Sequence, residues 1–468
     1  MRRKRNIQID NLELVTAGAK GVAIGRTEEG KTVLVSNAVP GDIVNVQVVK
    51  SKKNYFEAKI VSFLKYSDDR VEPKCMHFGV CGGCKWQNLS YDKQLEYKEK
   101  EVYGNLTRIG KIEDFSYLPI CSSKEQYNYR NKMEFSFSNA RWLTLEEIQS
   151  GNEIQEKDAL GFHIPQQWSK VLDLKECFLQ AEPSNTIRNK VKKFALEQGM
   201  EFYDIKEQKG FLRTLMIRSN SKNEILILVQ FFKEIKEQRE AILSFIKEEF
   251  PEVKTVMYAI NPKGNDSIYD LDVQVYSGDG YITEEIEGLK FKIGPKSFFQ
   301  TNYNQAVNLY EITRDFAELN GDEIVYDLYT GTGTIAQFVS RKAKKVIGVE
   351  AVPEAIEAAK MNAEYNEVTN CTFYCGDMKE IFTDEFISQN GRPDVIITDP
   401  PRDGMHKNVV ETILRISPRK LVYVSCNSAT QARDLELMRD KYEVIKVQAV
   451  DMFPQTHHVE SVALLKLK

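Results

Sequence analysis

Residues 327–334 read Asp-Leu-Tyr-Thr-Gly-Thr-Gly-Thr, and they decide the fold of the last third of the chain. They continue a short apolar run, and Gly331 and Gly333 allow the backbone to turn tightly beneath a ligand. Glu350 stands at the end of the next apolar run, where an acidic residue of an open α/β sheet bonds ribose hydroxyls. The stretch therefore predicts a nucleotide-type pocket at the carboxyl edge of a parallel sheet.

Short strands and helices alternate around this stretch. Tyr303–Leu319 has the spacing of an amphipathic helix. Asp399-Pro-Pro-Arg402 follows an apolar run, and its two prolines fix the backbone that carries Asp399. Strands separated by helical stretches of about 10–15 residues are typical of a doubly wound parallel sheet. The predicted strands are Ile324–Leu328, Val346–Val349, Val395–Thr398 and Leu421–Ser425.

Two side chains near the later predicted strands, Cys426 and Glu460, are the predicted catalytic groups. Cys426 follows the run that ends at Ser425, a position suited to a nucleophile. Thiolate addition at carbon 6 of a pyrimidine makes carbon 5 nucleophilic enough to take a methyl group. A general base must then remove the proton from carbon 5. Glu460 is the candidate base, and His457 and His458 are the alternatives.

A cysteine-rich segment near the front of the chain predicts a metal site. Cys75, Cys81 and Cys84 supply three thiols, and the spacing suits zinc or an iron–sulfur cluster. A fourth ligand must come from elsewhere, and Cys121 and Cys177 are the candidates. In a reducing compartment cysteines are metal ligands, nucleophiles or buried hydrophobes rather than disulfides.

The composition is that of a folded multidomain protein. The 468 residues are 42% hydrophobic and 28% charged, and the net charge of −4 gives no global signal for nucleic acid. No apolar run approaches the ~20 residues of a membrane span. Residues 1–65 read as short strands between glycine turns, which predicts a small β-barrel, and Leu143–Asp158 reads as a polar surface insertion. We expect a cytoplasmic protein.

The motifs together resemble a known family. In order and spacing the chain is similar to the S-adenosylmethionine-dependent RNA (uracil-5-)-methyltransferases, in particular the 23S ribosomal RNA branch with a TRAM barrel and an iron–sulfur cluster. The resemblance covers nearly the whole chain, and one departure is Ser428, where the family usually has proline. The matching motifs are Cys75-x5-Cys81-Gly-Gly-Cys84, Ser297-Phe-Phe-Gln300-Thr-Asn302, Asp327-Leu-Tyr-Thr-Gly-Thr-Gly-Thr, Asp399-Pro-Pro-Arg402, Ser425-Cys426-Asn427 and His457-His458-Val-Glu460-Ser461.

The resemblance implies a role for each of these motifs. Cys426 would be the nucleophile and Glu460 the base, and Cys177 would complete a [4Fe–4S] cluster with Cys75, Cys81 and Cys84. Contacts to the donor, S-adenosyl-L-methionine, or to the target base would come from Gln300, Tyr329, Thr334, Glu350, Asp377 and Asp399.

The same resemblance implies three domains and an RNA partner. We expect a TRAM-like, RNA-binding β-barrel over 1–66, a β-rich central domain with the cluster over 67–290, and a Rossmann-like class I methyltransferase domain over 291–468. Segment 89–121 is a candidate to pack on the catalytic domain. The expected partner is 23S ribosomal RNA, because the tRNA-modifying branch generally lacks the barrel and the cysteine segment. We expect a monomer without an obligate protein partner or a membrane.

Three other functions compete with this interpretation. A tRNA uracil-5-methyltransferase would share all of the chemistry. RNA cytosine-5-methyltransferases share the nucleophile logic but usually carry a further cysteine after the Asp-Pro strand, where this chain has Pro401 and Arg402. A non-catalytic iron–sulfur RNA-binding protein would not need both Cys426 and Glu460.

Overall fold

The computed structural model describes residues 7–151 and 156–468. The chain begins with a closed five-stranded barrel in the order β1-β2-β3-β5-β4. Alternate side chains of its strands, such as Val44 and Val46, point inward and are fully buried. The strands are β1 (Gln8–Ala17), β2 (Ala23–Arg26), β3 (Thr32–Val35), β4 (Ile43–Ser51) and β5 (Tyr55–Lys65).

One turn of the barrel has the sequence spacing of a phosphate-binding loop. Residues 25–32 read Gly-Arg-Thr-Glu-Glu-Gly-Lys-Thr. In the structure they connect β2 to β3, and Thr27 and Lys31 pair across a turn in which Gly30 has a φ of 83°. A phosphate-binding loop requires a helix N-terminus after it, and here an antiparallel strand follows. The spacing is therefore a feature of a hairpin.

A seven-stranded sheet forms the middle of the chain, in the order β13-β12-β11-β10-β7-β8-β9. Helices α3 and α4 cover one face through Ile187, Val191 and Ile242. The elements from the barrel to the end of this sheet are α1 (Tyr91–Arg108), β6 (Ser116–Cys121), β7 (Lys132–Ser138), α2 (Leu145–Ser150), β8 (Ala159–Ile164), β9 (Gln167–Asp173), α3 (Ser184–Glu197), β10 (Leu212–Ser219), β11 (Ile225–Phe231), α4 (Lys236–Glu249), β12 (Val253–Ile260) and β13 (Val273–Ser277). The predicted insertion 143–158 contains α2, and its residues 152–155 lie outside the described residues.

The last part of the chain builds a two-stranded hairpin and an eight-stranded sheet in the order β18-β17-β16-β19-β20-β22-β21-β6. Strands β16 to β20 are parallel, and β22 runs antiparallel to its neighbours. The elements are β14 (Ile282–Ile286), β15 (Leu289–Ile293), α5 (Tyr303–Ala317), β16 (Ile324–Leu328), α6 (Thr334–Ser340), β17 (Lys345–Glu350), α7 (Pro353–Tyr365), β18 (Cys371–Cys375), α8 (Met378–Ile381), α9 (Asp384–Asn390), β19 (Val395–Thr398), α10 (Lys407–Ile416), β20 (Lys420–Ser425), α11 (Ser428–Met438), β21 (Tyr442–Val450) and β22 (Glu460–Leu467).

The order of the parallel strands fixes where a ligand can bind. The chain passes from β16 outward to β17 and β18, and then returns to place β19 on the other side of β16. In an open α/β sheet the crevice at this change of direction lies at the carboxyl ends of the strands. Asp327, Glu350, Asp399 and Cys426 all stand at these ends.

Two segments join the eight-stranded sheet from earlier in the chain. Strand β6 pairs in parallel with β21 at the edge of the sheet, and α1 packs against α11. The hairpin β14–β15 places Ile286 and Phe291 in the same core as Leu309 of α5. The predicted boundary between residues 290 and 291 falls inside β15, and the core that holds this hairpin also contains Met216 and Leu228 of the central sheet. In the part of the chain that is described, no helix combines the length and apolar character needed to cross a bilayer.

Candidate active site

The glycine loop after β16 leaves room for a ligand. Tyr329, Gly331 and Gly333 have φ angles of 65°, 56° and 75°, in the left-handed region. A Cβ at Gly333 would lie 2.9 Å from Phe373, whereas a Cβ at Gly331 would meet nothing within 4 Å. Glycine is therefore needed at 333 for close packing, and at 331 it exposes the backbone to open space where a ligand can approach.

Glu350 is held rigidly at the end of β17. Its Oε2 accepts from the backbone N–H of Gly331 at 3.1 Å, and its Oε1 accepts from Ala351 and Val352 at 2.8 and 3.0 Å. These bonds join the carboxylate to the glycine loop. A preorganised carboxylate of this kind can accept from a ligand hydroxyl without first losing conformational freedom.

The other predicted donor contacts differ in exposure. Thr334 begins α6 and is buried, with its hydroxyl 3.3 Å from that of Thr332. Asp377 caps α8 from an exposed position, accepts from the backbone N–H of Lys379, and forms an ion pair with its ammonium at 3.1 Å. Asp377 is therefore exposed at the edge of the candidate donor site, and its charge is already paired with that of Lys379. Burial raises the pKa of Tyr329 to about 12, so this hydroxyl stays protonated and can donate.

The segment Ser297–Gln300 lies beside the glycine loop. The hydroxyl of Thr332 donates to the carbonyl of Phe298 at 3.4 Å, and Asn131 of the central region donates to the carbonyl of Gln300 at 3.1 Å. Gln300 is half-buried, and the ring of Phe298 is 65% exposed. An exposed aromatic ring beside the glycine loop suits stacking against a planar base. Phe298 belongs to the motif over residues 297–302, but the sequence alone indicated no role for it.

Cys426, Asp399 and Glu460 converge near one cation, Arg402. The pKa of Glu460 is raised to about 8, chiefly by burial and also by the nearby Asp399, while Arg402 acts to lower it. The pKa of the Cys426 thiol is raised to about 11, chiefly by burial and also by Glu460 and Asp399, and Arg402 opposes this rise. The structure thus places a thiol and a proton-accepting carboxyl together at the carboxyl edge. Arg402 ends the motif Asp399-Pro-Pro-Arg402, but its position in the sequence does not show that its side chain interacts with the Cys426 thiol.

The two histidines before β22 are half-buried, and both are weaker bases than an ordinary histidine. The pKa of His457 is lowered to about 4, chiefly by burial and also by His458, Lys98, Lys85 and Arg402. The pKa of His458 is also lowered by burial and by nearby cations, Arg402 and Lys98 among them. A base of low pKa accepts a proton weakly, so Glu460 is the stronger proton acceptor of the three groups.

Four cysteines meet between the front segment and the central sheet. Cys75, Cys81, Cys84 and Cys177 lie close enough for their charges to act on one another, and Cys121 is not among these neighbours. All four thiols are free of disulfide bonds. A Cβ at Gly82 would lie 2.3 Å from Pro165, so glycine is needed where this loop packs closely against the central region. Within residues 7–151 and 156–468, no three His, Cys, Asp or Glu side chains are arranged to hold a single metal ion.

Comparisons with known proteins agree with this architecture. A TRAM domain matches residues 13–61, which confirms the predicted N-terminal barrel domain. An uncharacterised RNA methyltransferase of Bacteroides thetaiotaomicron is 53% identical and covers 96% of this chain and 100% of its own length. Another, of Chlorobaculum tepidum, is 40% identical over 98% of this chain and 97% of its own.

One solved structure is similar over the full length. Pyrococcus abyssi tRNA (uracil-54, C5)-methyltransferase, in complex with S-adenosyl-L-homocysteine, is 27% identical with a TM-score of 0.76 and covers 97% of this chain and 100% of its own. The family described as tRNA (uracil-5-)-methyltransferase matches residues 210–468, more than half of the sequence. This RNA methyltransferase chain therefore belongs to the tRNA (uracil-5-)-methyltransferase family.

Proposed function

We propose that the protein transfers a methyl group from S-adenosylmethionine to carbon 5 of a uridine in 23S ribosomal RNA. The observation that carries the proposal is the pairing of the Cys426 thiol with the buried carboxyl of Glu460 at the edge where ligands bind. RNA cytosine-5-methyltransferases usually carry a further cysteine after the Asp-Pro strand, and Pro401 and Arg402 stand there instead.

Cys426 begins the reaction as the nucleophile. Its thiolate adds to carbon 6 of the uracil, and the electron pair of the carbon 5–carbon 6 double bond moves toward the carbonyl oxygen. Carbon 5 then takes the methyl group from the sulfonium sulfur of the donor, whose methyl–sulfur bond breaks so that neutral S-adenosylhomocysteine leaves. Arg402 stabilises the attacking thiolate, because its positive charge lowers the pKa of Cys426.

Glu460 ends the reaction as the general base. Its carboxylate takes the proton from carbon 5, the double bond re-forms, and the carbon 6–sulfur bond breaks to release the thiolate. A pKa of about 8 suits this step, because the group accepts a proton strongly and is still partly ionised near neutral pH.

The glycine loop and Glu350 form the proposed site for the donor. Gly331 leaves open space at the loop, and the fixed carboxylate of Glu350 would accept from the ribose hydroxyls. Tyr329, Thr334, Asp399 and Gln300 complete the proposed contacts to the donor or the target base. The paired and exposed position of Asp377 supports at most a contact at the rim.

We also propose a [4Fe–4S] cluster on Cys75, Cys81, Cys84 and Cys177. Four convergent thiols are the ligand set that such clusters take, and Gly82 permits the close wrapping of the loop. Within residues 7–151 and 156–468 no group of three His, Cys, Asp or Glu side chains is arranged to hold a metal ion, so the proposal rests on the convergence of the four thiols and on the resemblance of the motif, and iron analysis tests the cluster. Methyl transfer as written needs no electron from it.

A tRNA substrate is the second candidate. The Pyrococcus abyssi enzyme is named for tRNA and covers 97% of this chain, so a barrel at the front does not by itself separate the two substrates. In either case the barrel would contact RNA through lysines and aromatic rings of its surface, such as the half-buried pair Lys31 and Phe56, in which the ammonium lies 3.8 Å from the ring centroid. A cytoplasmic monomer and the three domain limits stay predictions.

Two variants test the chemistry. Cys426→Ala should abolish both methylation and covalent attachment to RNA. Glu460→Gln should form the adduct and take the methyl group but fail to eliminate, so a methylated protein–RNA conjugate should accumulate on denaturing gels. Normal product release by Glu460→Gln, or a conjugate formed by Cys426→Ala, would refute the assignment. Labelled donor with unmodified 23S RNA and with unmodified tRNA, followed by mapping of the product, decides the substrate.

A further inference from the structure

Residues 451–459, which we call the strap, connect β21 to β22 and end immediately before Glu460. The strap has no helix or strand of its own, yet most of it is buried. A loop in this position would ordinarily be mobile, and the carboxyl that comes after it would then be poorly placed. The structure shows instead that almost every backbone group at the start of the strap is bound by another element.

Helix α1 and the central region hold the strap by side chains. Lys98 and Asp451 form a fully buried ion pair, and Lys98 also donates to the carbonyl of Phe453 at 3.2 Å. Tyr91 donates to the second oxygen of Asp451 at 2.7 Å. Gln94 donates to the side-chain oxygen of Gln455 at 3.1 Å and accepts from the backbone N–H of Gln455 at 2.9 Å. Three carbonyls of the strap accept from other elements: that of Pro454 from Tyr129, that of Met452 from Asn302 and that of Asp451 from Gln305.

The cysteine segment holds the same strap by its backbone. The N–H groups of Lys85 and Trp86, directly after Cys84, both donate to the carbonyl of Gln455 at 2.9 and 3.0 Å. The indole of Trp86 lies 6.5 Å from the ring of His457 and donates to the carbonyl of Gly21 in the barrel. Gln94 also donates to the carbonyls of Trp86 and Leu89, so it links this turn to the strap.

We infer that α1 and the Cys84–Trp86 turn act together to position the general base, with Gln94 and Tyr129 as positioning residues. The inference rests on the proposed function. It gives the cysteine segment a place in the reaction: it fixes the strap that carries Glu460 without touching the substrate. The nucleophile does not depend on the strap, because Cys426 directly follows β20. Loosening the strap should therefore slow proton removal and leave the earlier thiol addition intact.

The test uses two substitutions in the full-length protein, each with a matched control. Gln94→Leu removes the links to Gln455, and Gln230→Leu removes an equally buried glutamine of the central sheet that bonds Asn261 and Asp266. Tyr129→Phe removes one hydroxyl bonded to a proline carbonyl at 3.0 Å. Tyr442→Phe removes the same kind of bond, 2.9 Å long, outside the strap.

RNA that carries 5-fluorouridine separates the two steps. Fluorine at carbon 5 leaves no proton to remove, so the methylated adduct with Cys426 stays on the protein and its rate of formation reports the first steps alone. For Gln94→Leu we expect turnover on ordinary RNA to fall roughly 10- to 100-fold, the scale of a small misplacement of a catalytic group. The rate of trapping by the fluorinated RNA should stay within about twofold. Tyr129→Phe should show the same split at smaller amplitude, and both controls should show none.

Three other results would contradict the positioning role of α1 and the Cys84–Trp86 turn. Equal losses in turnover and trapping would show a general loss of fold or of RNA binding. Unchanged turnover in both strap variants, with faster hydrogen exchange of the Gln455 and Thr456 amides, would show that a loose strap still serves the base. If the wild-type protein forms no adduct with the fluorinated RNA, the proposed function itself fails, and the positioning role fails with it.

Discussion

Arg402 offers the most direct test of how the proposed nucleophile, Cys426, is ionised. It is the cation whose charge opposes the two carboxyls around Cys426, and it lowers the pKa of both Cys426 and Glu460. With a pKa of about 11, the thiol is ionised in only about one molecule in 1,000 at pH 8. The rate of adduct formation should therefore depend strongly on any group that changes this fraction.

We predict that Arg402→Gln slows adduct formation about tenfold below pH 10. An opposite charge within 4–6 Å shifts a pKa by roughly 1–3 units, and the exposure of Arg402 places it at the lower end because solvent screens its charge. One unit is a tenfold loss of thiolate. The measurement is the rate of trapping by 5-fluorouridine RNA between pH 7 and 10, and the alkaline rise should move up by about one unit.

Two controls separate charge from structure in this experiment. Arg402→Lys keeps the positive charge and should retain most of the rate. Arg433→Gln removes a neighbouring arginine that pairs with Asp434 and donates to the carbonyl of Asp403, and it should leave the alkaline rise in place. If Arg402→Gln traps RNA with the wild-type rate and pH profile, the thiolate is not stabilised by this cation and the electrostatic argument is wrong.

Three further predictions concern the metal, the donor and stability. Protein purified without oxygen should be brown, with broad absorbance near ~400 nm, and Cys177→Ser should lose iron whereas Cys121→Ser should keep it; colourless protein with stoichiometric zinc would contradict the cluster. Glu350→Ala should weaken donor binding by about 1.5–3 kcal/mol in calorimetry, and unchanged affinity would place Glu350 outside the site. Burial raises the pKa of Asp399 from 3.8 to about 7. Between pH 4 and 7 the folded state therefore keeps a proton that the unfolded state has lost. The free energy of unfolding should fall over this range by up to about 1.4 kcal/mol per pH unit. Asp399→Asn should flatten this slope in urea unfolding, and an unchanged slope would show that Asp399 ionises normally.

Local patterns predicted the elements of the catalytic edge. The run Ile324–Leu328 coincides with β16, and Val395–Thr398 with β19, because buried parallel strands are short apolar runs bounded by turns. The glycine pair and the polar residues after the strands followed from the same logic. The predicted helix Tyr303–Leu319 ends earlier, at Ala317, because Glu318 adopts a left-handed conformation.

Local patterns do not specify which distant strands pair. The sequence makes segment 89–121 a candidate to pack on the methyltransferase domain, and β6 within it pairs with β21, but nothing in the sequence Ser116–Cys121 specifies that strand, which lies more than 300 positions away. The predicted domain limit after residue 290 divides the hairpin β14–β15, whose alternating pattern suits either sheet. The buried pair Lys98–Asp451 and the bond from Gln94 to Gln455 likewise depend on the tertiary fold alone.

The charges of the site also favour one order of steps in the proposed reaction, with thiol addition first and proton removal last. Ionised Glu460 raises the pKa of Cys426, so thiolate and carboxylate disfavour each other before RNA reacts. The attacking state is therefore one in which Glu460 holds a proton and Cys426 has lost one. Addition to carbon 6 converts the thiolate into a neutral thioether, and methyl transfer removes the charge that moved onto the ring. Glu460 then ionises more easily, because the negative charge beside it is gone, and the base becomes active only after carbon 5 carries its methyl group.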